Sequence, residues 1–219
     1  MAIIDSVSIP NVFLTIDETR NKLYVRLVAQ TDRTLTLRSG MYNGITLAAE
    51  LQAQLNTLGA QYGAYTVTYD TSTGQLTVSM TGLAFMSFLE RDASRPYDCL
   101  EVIGVDPADF NGQSFRDGVP VTLAHHVDVV GVRVLFITSS NFGHYSSLGP
   151  RGESDILRQV MVTEGNGSHI VDRLANPFEF IECGGQQLQT LNFRLTDGNG
   201  TTVDMKGRSI AFSIIFLLK

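Results

Sequence analysis

The sequence predicts an all-β fold, an antiparallel two-sheet sandwich with one inserted helix near residues 45–58. Three observations carry that reading. Period-two alternation of apolar and polar residues dominates the chain, turn signals separate the alternating runs, and one stretch switches to helical spacing. About ten short strands with one helix fit a single domain over residues 1–219. The alternative is two small β domains divided near residue 84.

Val12–Ile16 and Leu23–Val28 read as early strands, broken by the polar run Asp17–Asn21. Residues 1–22 are a candidate N-terminal arm. Thr34–Arg38 alternates cleanly. Tyr65–Tyr69 and Gln75–Met80 flank Asp70–Gly74, a hairpin with its glycine near the end. Further strands are expected at Val127–Ile137, Leu157–Thr163, Phe178–Cys183, Gln189–Thr196 and Ser209–Leu218, with Thr196–Gly200 a second strong turn. Ser209–Leu218 is apolar on both faces, which predicts a strand in the middle of a sheet.

The helix places Leu47, Leu51, Leu55 and Leu58 on one stripe, with Asn43 or Thr46 as its cap and Gly59 as its stop. A shorter helix is expected near Phe85–Leu89. Residues 84–126 form a long excursion between strands, in which Leu100, Val102, Ile103 and Val105 need burial and form a candidate strand.

Composition narrows the function. Of 219 residues, 43% are hydrophobic and 17% charged, below the roughly 25% usual in soluble domains. The surface must therefore be rich in uncharged groups. A net charge of −6 disfavours nucleic acid as the main partner, because phosphate contacts need basic residues. Only Lys22, Lys206 and Lys219 are lysines among 16 basic residues, which leaves thirteen arginines. Arginine is enriched at protein interfaces, where its planar fork pairs in two directions, although genome composition gives the same bias. Met1–Phe13 has neither a basic leader region nor a long apolar run, so no signal peptide and no membrane span are expected. Cys99 and Cys183 are too few for a disulfide framework, and both are expected to stay reduced in the cytosol.

Catalytic constellations are scarce. His125 and His126 are adjacent, so on a strand they point to opposite faces and cannot easily share a metal. His144 lies near Ser139, Ser146 and Ser147 without a nucleophile elbow. Cys183 before Gly184-Gly185 reads as a strand-end thiol more readily than as a nucleophile. No phosphate-binding loop or calcium-loop spacing occurs. The expectation is a non-enzyme that needs no metal or cofactor. With no tryptophan, sugar stacking would fall to the seven tyrosines.

The helix and its flanks carry a resemblance. Arg38–Asn56 contains Gly40, Tyr42, Leu47 and Leu51 in a G-x-Y-x-x-x-x-L-x-x-x-L pattern, and the hairpin of Tyr65–Asp70 and Gly74–Val78 comes after it. Together with Ser154–Val160, Leu191–Gly200 and Ser209–Phe216, this order resembles minor capsid or penton-like proteins of polinton-like viruses, virophages, adintoviruses and related double-jelly-roll viruses. It covers residues 38–80 and 154–218. The resemblance implies a single jelly roll and a viral capsid structural protein, the penton (vertex) or another minor capsid protein, without catalysis. It implies a homopentamer that meets the major capsid protein in the virion, made in the host cytosol. The alternative function is a virion spike head or a glycan- or receptor-binding β-sandwich module. Candidate interface residues are Arg91, Arg95, Phe110 and Phe115 in the excursion, and Phe142, Tyr145 and Arg151 in the loop 139–152.

Overall fold

The structure, a computed structural model, describes residues 1–82, 85–106, 113–142, 152, 155–173, 180–181 and 190–217. In chain order it runs β1 (Ala2–Pro10), β2 (Lys22–Leu27), β3 (Thr31–Thr36), α1 (Gly44–Asn56), β4 (Ala64–Asp70), β5 (Gln75–Thr81) and β6 (Met86–Phe88). Next come β7 (Ser114–Phe115), β8 (Val121–Thr122), β9 (Val134–Thr138), β10 (Ile156–Met161), β11 (His169–Arg173), β12 (Arg194–Asp197) and β13 (Ala211–Phe216). Every pairing between these strands is antiparallel. Over the described residues the chain is thus all-β and antiparallel with one inserted α-helix, the class that its alternation predicts.

The strands group into two compact units, Met1–Phe13 with Val132–Lys219, and Leu14–Gly131. β5 and β6 flank residue 84 within one unit, so the chain does not divide there. Each unit builds two sheets on a shared core.

In the first unit the sheet orders are β11-β1-β13 and β10-β9-β12. Ile4, Val7 and Ile9 of β1 meet Leu135 and Ile137 of β9, Val160 of β10 and Leu195 of β12. Two expectations fail here, for related reasons. The first ten residues are not an arm, because β1 is a central strand paired on both sides. A register shift between Ile4 and Ser6 makes Asp5 a bulge, which breaks period-two alternation and hides the strand. Conversely, among the described strands β13 stands at the edge, with β1 as its one neighbour. Its second face is not buried: Ile215 and Leu217 are 44% and 42% exposed.

In the second unit the orders are β3-β2-β6-β7 and β4-β5-β8. Leu23, Val25 and Leu27 of β2 share a core with Leu76, Val78 and Met80 of β5 and with Leu47, Leu51 and Leu55 of α1. Asn43 caps α1 by a reciprocal pair: its Oδ1 accepts from the Thr46 N–H, and Thr46 Oγ1 accepts from the Asn43 N–H, both at 2.9 Å. The helix also covers the β4 edge. Asn56 Oδ1 and Gln52 Oε1 accept from the backbone N–H groups of Tyr65 and Val67, each at 2.9 Å. Those donors would otherwise stand open on an edge strand.

Other local expectations shift. Val12–Ile16 forms no strand, although Phe13 and Ile16 are buried. Phe85–Leu89 is not helical, because Met86 and Phe88 pack at two-residue spacing as β6 pairs with β2. The excursion contributes β6, β7, β8 and a buried turn. Leu100, Val102, Ile103 and Val105 are buried as expected, but through successive turns and not a strand.

Cys99 lies inside this turn and is free. Burial, with help from the Asp98 charge, pushes its thiol from the ordinary 9.0 up to about 12. Between those values the unfolded chain releases a proton that the folded chain keeps. The stability tied to this group is full below the unfolded value and is lost as pH rises through that window. Native Cys99 is therefore expected to resist alkylation near neutral pH and to react once the chain is unfolded. The urea midpoint should fall as pH climbs above 9.0, and fall less in Cys99→Ala. Fast labelling of Cys99 in the native chain contradicts its burial. Cys183 lies outside the described residues.

Candidate functional site

Two of the sequence-selected residues, Arg91 and Arg95, meet in one place. They stand on the segment after β6, where the chain turns back along β2. Asp92 organises the turn: the Ser94 N–H and hydroxyl both donate to its Oδ1, at 2.7 and 2.6 Å. These bonds, the Ser94 hydroxyl first, hold the Asp92 carboxyl below its ordinary range. Arg95 closes the turn by donating from Nε to the Glu90 carbonyl at 2.7 Å and pairing with Asp92.

The strand β2 pins the residues after this turn. The Tyr24 hydroxyl donates to the Pro96 carbonyl at 2.8 Å, the Lys22 N–H donates to the Tyr97 carbonyl at 2.9 Å, and the Cys99 N–H donates to the Lys22 carbonyl at 2.8 Å. Between these fixed points Tyr97 adopts a left-handed backbone, φ +63°, and remains 56% exposed. Such a conformation costs a non-glycine residue on the order of 1–3 kcal/mol and persists only where its surroundings enforce it. The result is a tyrosine ring held outward on a rigid loop.

Next to it, Asp98 is buried and receives a forked pair from Arg91, through Nε and, at 3.1 Å, through Nη2. That pairing raises the Arg91 guanidinium above its ordinary value. Arg91 Nη1 reaches Glu101 at 3.2 Å. Across the gap Arg20 donates to the carbonyls of Leu14 and Gly131, at 3.2 and 3.4 Å. Its Nε is buried with no hydrogen-bond partner, 4.0 Å from the Asp17 carboxylate. Together these groups wall a pocket of about 350 Å³. Its polar lining holds three arginines (Arg20, Arg91, Arg95) and four carboxylates (Asp92, Asp98, Glu101, Asp128), with Tyr97 and Pro96 as its ring-bearing residues.

The other candidates fare differently. Phe115 is fully buried, packed on Phe88 with ring centroids 4.8 Å apart, and it stabilises the core instead of meeting a partner. Phe142 is also buried, near Phe193 and Phe216 at 6.3 and 6.4 Å. Both are aromatic residues that the fold needs more than the surface does. Phe110, Tyr145 and Arg151 lie outside the described residues. Sequence reasoning missed Arg20, Tyr97 and Asp98. The Asp92-x-Ser94 spacing, a common turn signature, is a local signal that could have found this loop, but nothing local foretells the left-handed Tyr97.

His125 and His126 are both exposed, and His169 Nδ1 lies 3.3 Å from the Ser8 hydroxyl. Among the described residues no group of three His, Cys, Asp or Glu side chains is placed to hold a metal. None of the helices among them is long and apolar enough to cross a membrane.

Fold and site together define an antiparallel β protein whose polar surface pocket is built from ion pairs. No family model matches the sequence, and no curated protein matches it either. Among solved structures, the fold is similar to that of the mavirus penton protein, known from a selenomethionine-labelled crystal structure. The likeness covers 97% of this chain and 83% of that one, with a TM-score of 0.51 at 10% sequence identity.

Proposed function

We propose that the chain is a viral capsid structural protein, the penton at the vertex or another minor capsid protein, acting through protein contacts and not as an enzyme. The observation that carries this reading is the extent of the likeness. It spans 97% of the chain, and so takes in both compact units instead of one generic sandwich. On this reading residues 1–219 work as a single building block, found in the virion and made in the host cytosol. Its partners are further copies of itself, in a homopentamer, and the major capsid protein.

The surface supports assembly. The strand β13 and the residues around it, Ile210–Leu217, carry no charge, and no second described strand pairs with β13. An apolar edge left open to water is a liability that soluble monomers avoid. A shell protein gains by covering it, and a head-to-tail contact that closes into a ring of five is one way to do so. Stable interfaces bury on the order of 800 Å² per partner.

The deciding measurement is symmetry in the assembled particle, because shell interfaces can require neighbouring proteins before they form. Density for this chain at fivefold vertices is the expected result. Threefold density projecting from the shell, or no association with particles, overturns the proposal.

A further inference from the structure

The pocket beside Tyr97 has a chemistry that shell assembly does not call for. Pockets that seat a side chain from another protein are apolar at their centre and depleted of charge. This one is the reverse, with three guanidinium and four carboxylate groups around about 350 Å³. An anionic ligand is disfavoured too. The carboxylates outnumber the arginines, and Arg91 and Arg95 already hold Asp98, Glu101 and Asp92. A free anion would have to displace those partners.

What such a surface offers is donors and acceptors side by side. Each guanidinium–carboxylate pair presents N–H groups next to carboxylate lone pairs, and neither partner is neutralised by exchanging a water for a neutral hydroxyl. Arg20 adds positive charge to the wall, with its Nη1 and Nη2 already donating to the Gly131 and Leu14 carbonyls. Vicinal hydroxyl groups, each able to donate and accept, match that alternation. At the rim, the left-handed backbone holds the Tyr97 ring out into solvent, an apolar face on which a ring of C–H groups can pack. The volume lies at the lower end of the range for small-ligand sites.

We infer that this pocket binds a neutral carbohydrate, one or two sugar rings, with Tyr97 as the stacking face and Arg91, Asp92 and Arg95 as hydrogen-bonding partners. The inference goes beyond the capsid reading and does not depend on a vertex position. It concerns what the exposed loop of an assembled or free chain recognises.

Saturation-transfer NMR on the purified full chain tests it, with glucose, galactose, mannose, fucose and N-acetylglucosamine as probes, each at millimolar concentration. Sialic acid and glucose 6-phosphate, whose C–H protons report transfer, serve as charged comparisons. The expected result is transfer to the ring protons of at least one neutral sugar. Tyr97→Gly keeps the left-handed backbone without the aromatic face, so it should cut that signal at least fivefold while leaving the melting temperature unchanged or higher. Arg91→Lys keeps the charge against Asp98 but loses the fork, and should also weaken binding; it stands as the test if Tyr97→Gly does not fold. Absence of transfer to every neutral sugar, transfer only to the charged probes, or a signal indifferent to both substitutions overturns the inference. Particle localisation is read separately, so failure here leaves the capsid proposal standing, and the converse holds.

Discussion

Deleting residues 2–10 is expected to unfold the unit formed by Met1–Phe13 and Val132–Lys219, although the deletion touches only the chain's beginning. Two ladders would be lost at once. Ser6–Pro10 pairs with β11, and Ala2–Ser8 pairs with β13, so removing the middle strand leaves two strands with no common neighbour. Ile3, Ile4, Val7 and Ile9 are all buried, and each such side chain is worth about 1.5–3 kcal/mol on burial. Their combined loss is comparable to the ~5–15 kcal/mol that holds a typical domain together. Removing residues 210–219 should cost less, because β13 pairs with one described strand and its side chains are half-exposed. Thermal melting followed by circular dichroism, with amide exchange at β9 and β10, separates the two. A chain without residues 2–10 that still melts cooperatively, with β9 protected, would show that β1 is dispensable.

Those two strands also mark where local pattern succeeds and where it fails. The hairpin of β4 and β5 is legible because its seven-residue ladder keeps strict alternation, from Ala64↔Thr81 to Asp70↔Gln75. The helix is legible because its leucine stripe and its cap agree. The strand β1 is not, since one bulged residue at Asp5 shifts every later side chain to the other parity. β13 misleads in the opposite sense. Apolar residues on both faces do predict something that covers them, but a neighbouring strand of the same chain is not the only cover available.

The site was half legible for similar reasons. Arginine in place of lysine singled out Arg91 and Arg95 as interface candidates; both line the pocket, paired with Asp98 and Asp92, and their contact with a partner stays a proposal. Aromatic residues were the weaker guide, because Phe115 and Phe142 satisfy packing inside the fold before any surface use. Arg20 and Tyr97 are far apart in sequence and become neighbours only through the pairing of Lys22 with the loop that ends at Asp98. No local pattern encodes that contact.

Gly104→Ala is expected to be the most damaging single-methyl change among the described glycines. Gly104 has φ +88°, where a side chain is strained whatever the space around it, and there is no space: a Cβ would sit 2.3 Å from the His125 carbonyl oxygen. That oxygen is backbone and cannot swing aside. The His125 N–H donates to the Gly104 carbonyl at 3.0 Å, so the two segments are tied at the point where they would have to part. Parting them disturbs the turn that buries Leu100, Val102 and Ile103, and with it Glu101 and Val102 of the pocket wall. Strain of about 1 kcal/mol for the backbone, plus the cost of displacing packed segments, gives an expected loss of about 3 kcal/mol or more. Gly118→Ala supplies the comparison, since φ is +69° there but nothing lies within 4 Å of the added carbon. It carries the strain alone and should cost about 1 kcal/mol. Urea midpoints of the two variants measure the difference. Equal shifts would mean that the Gly104 and His125 segments separate freely, and that the turn beneath the pocket is not a rigid support.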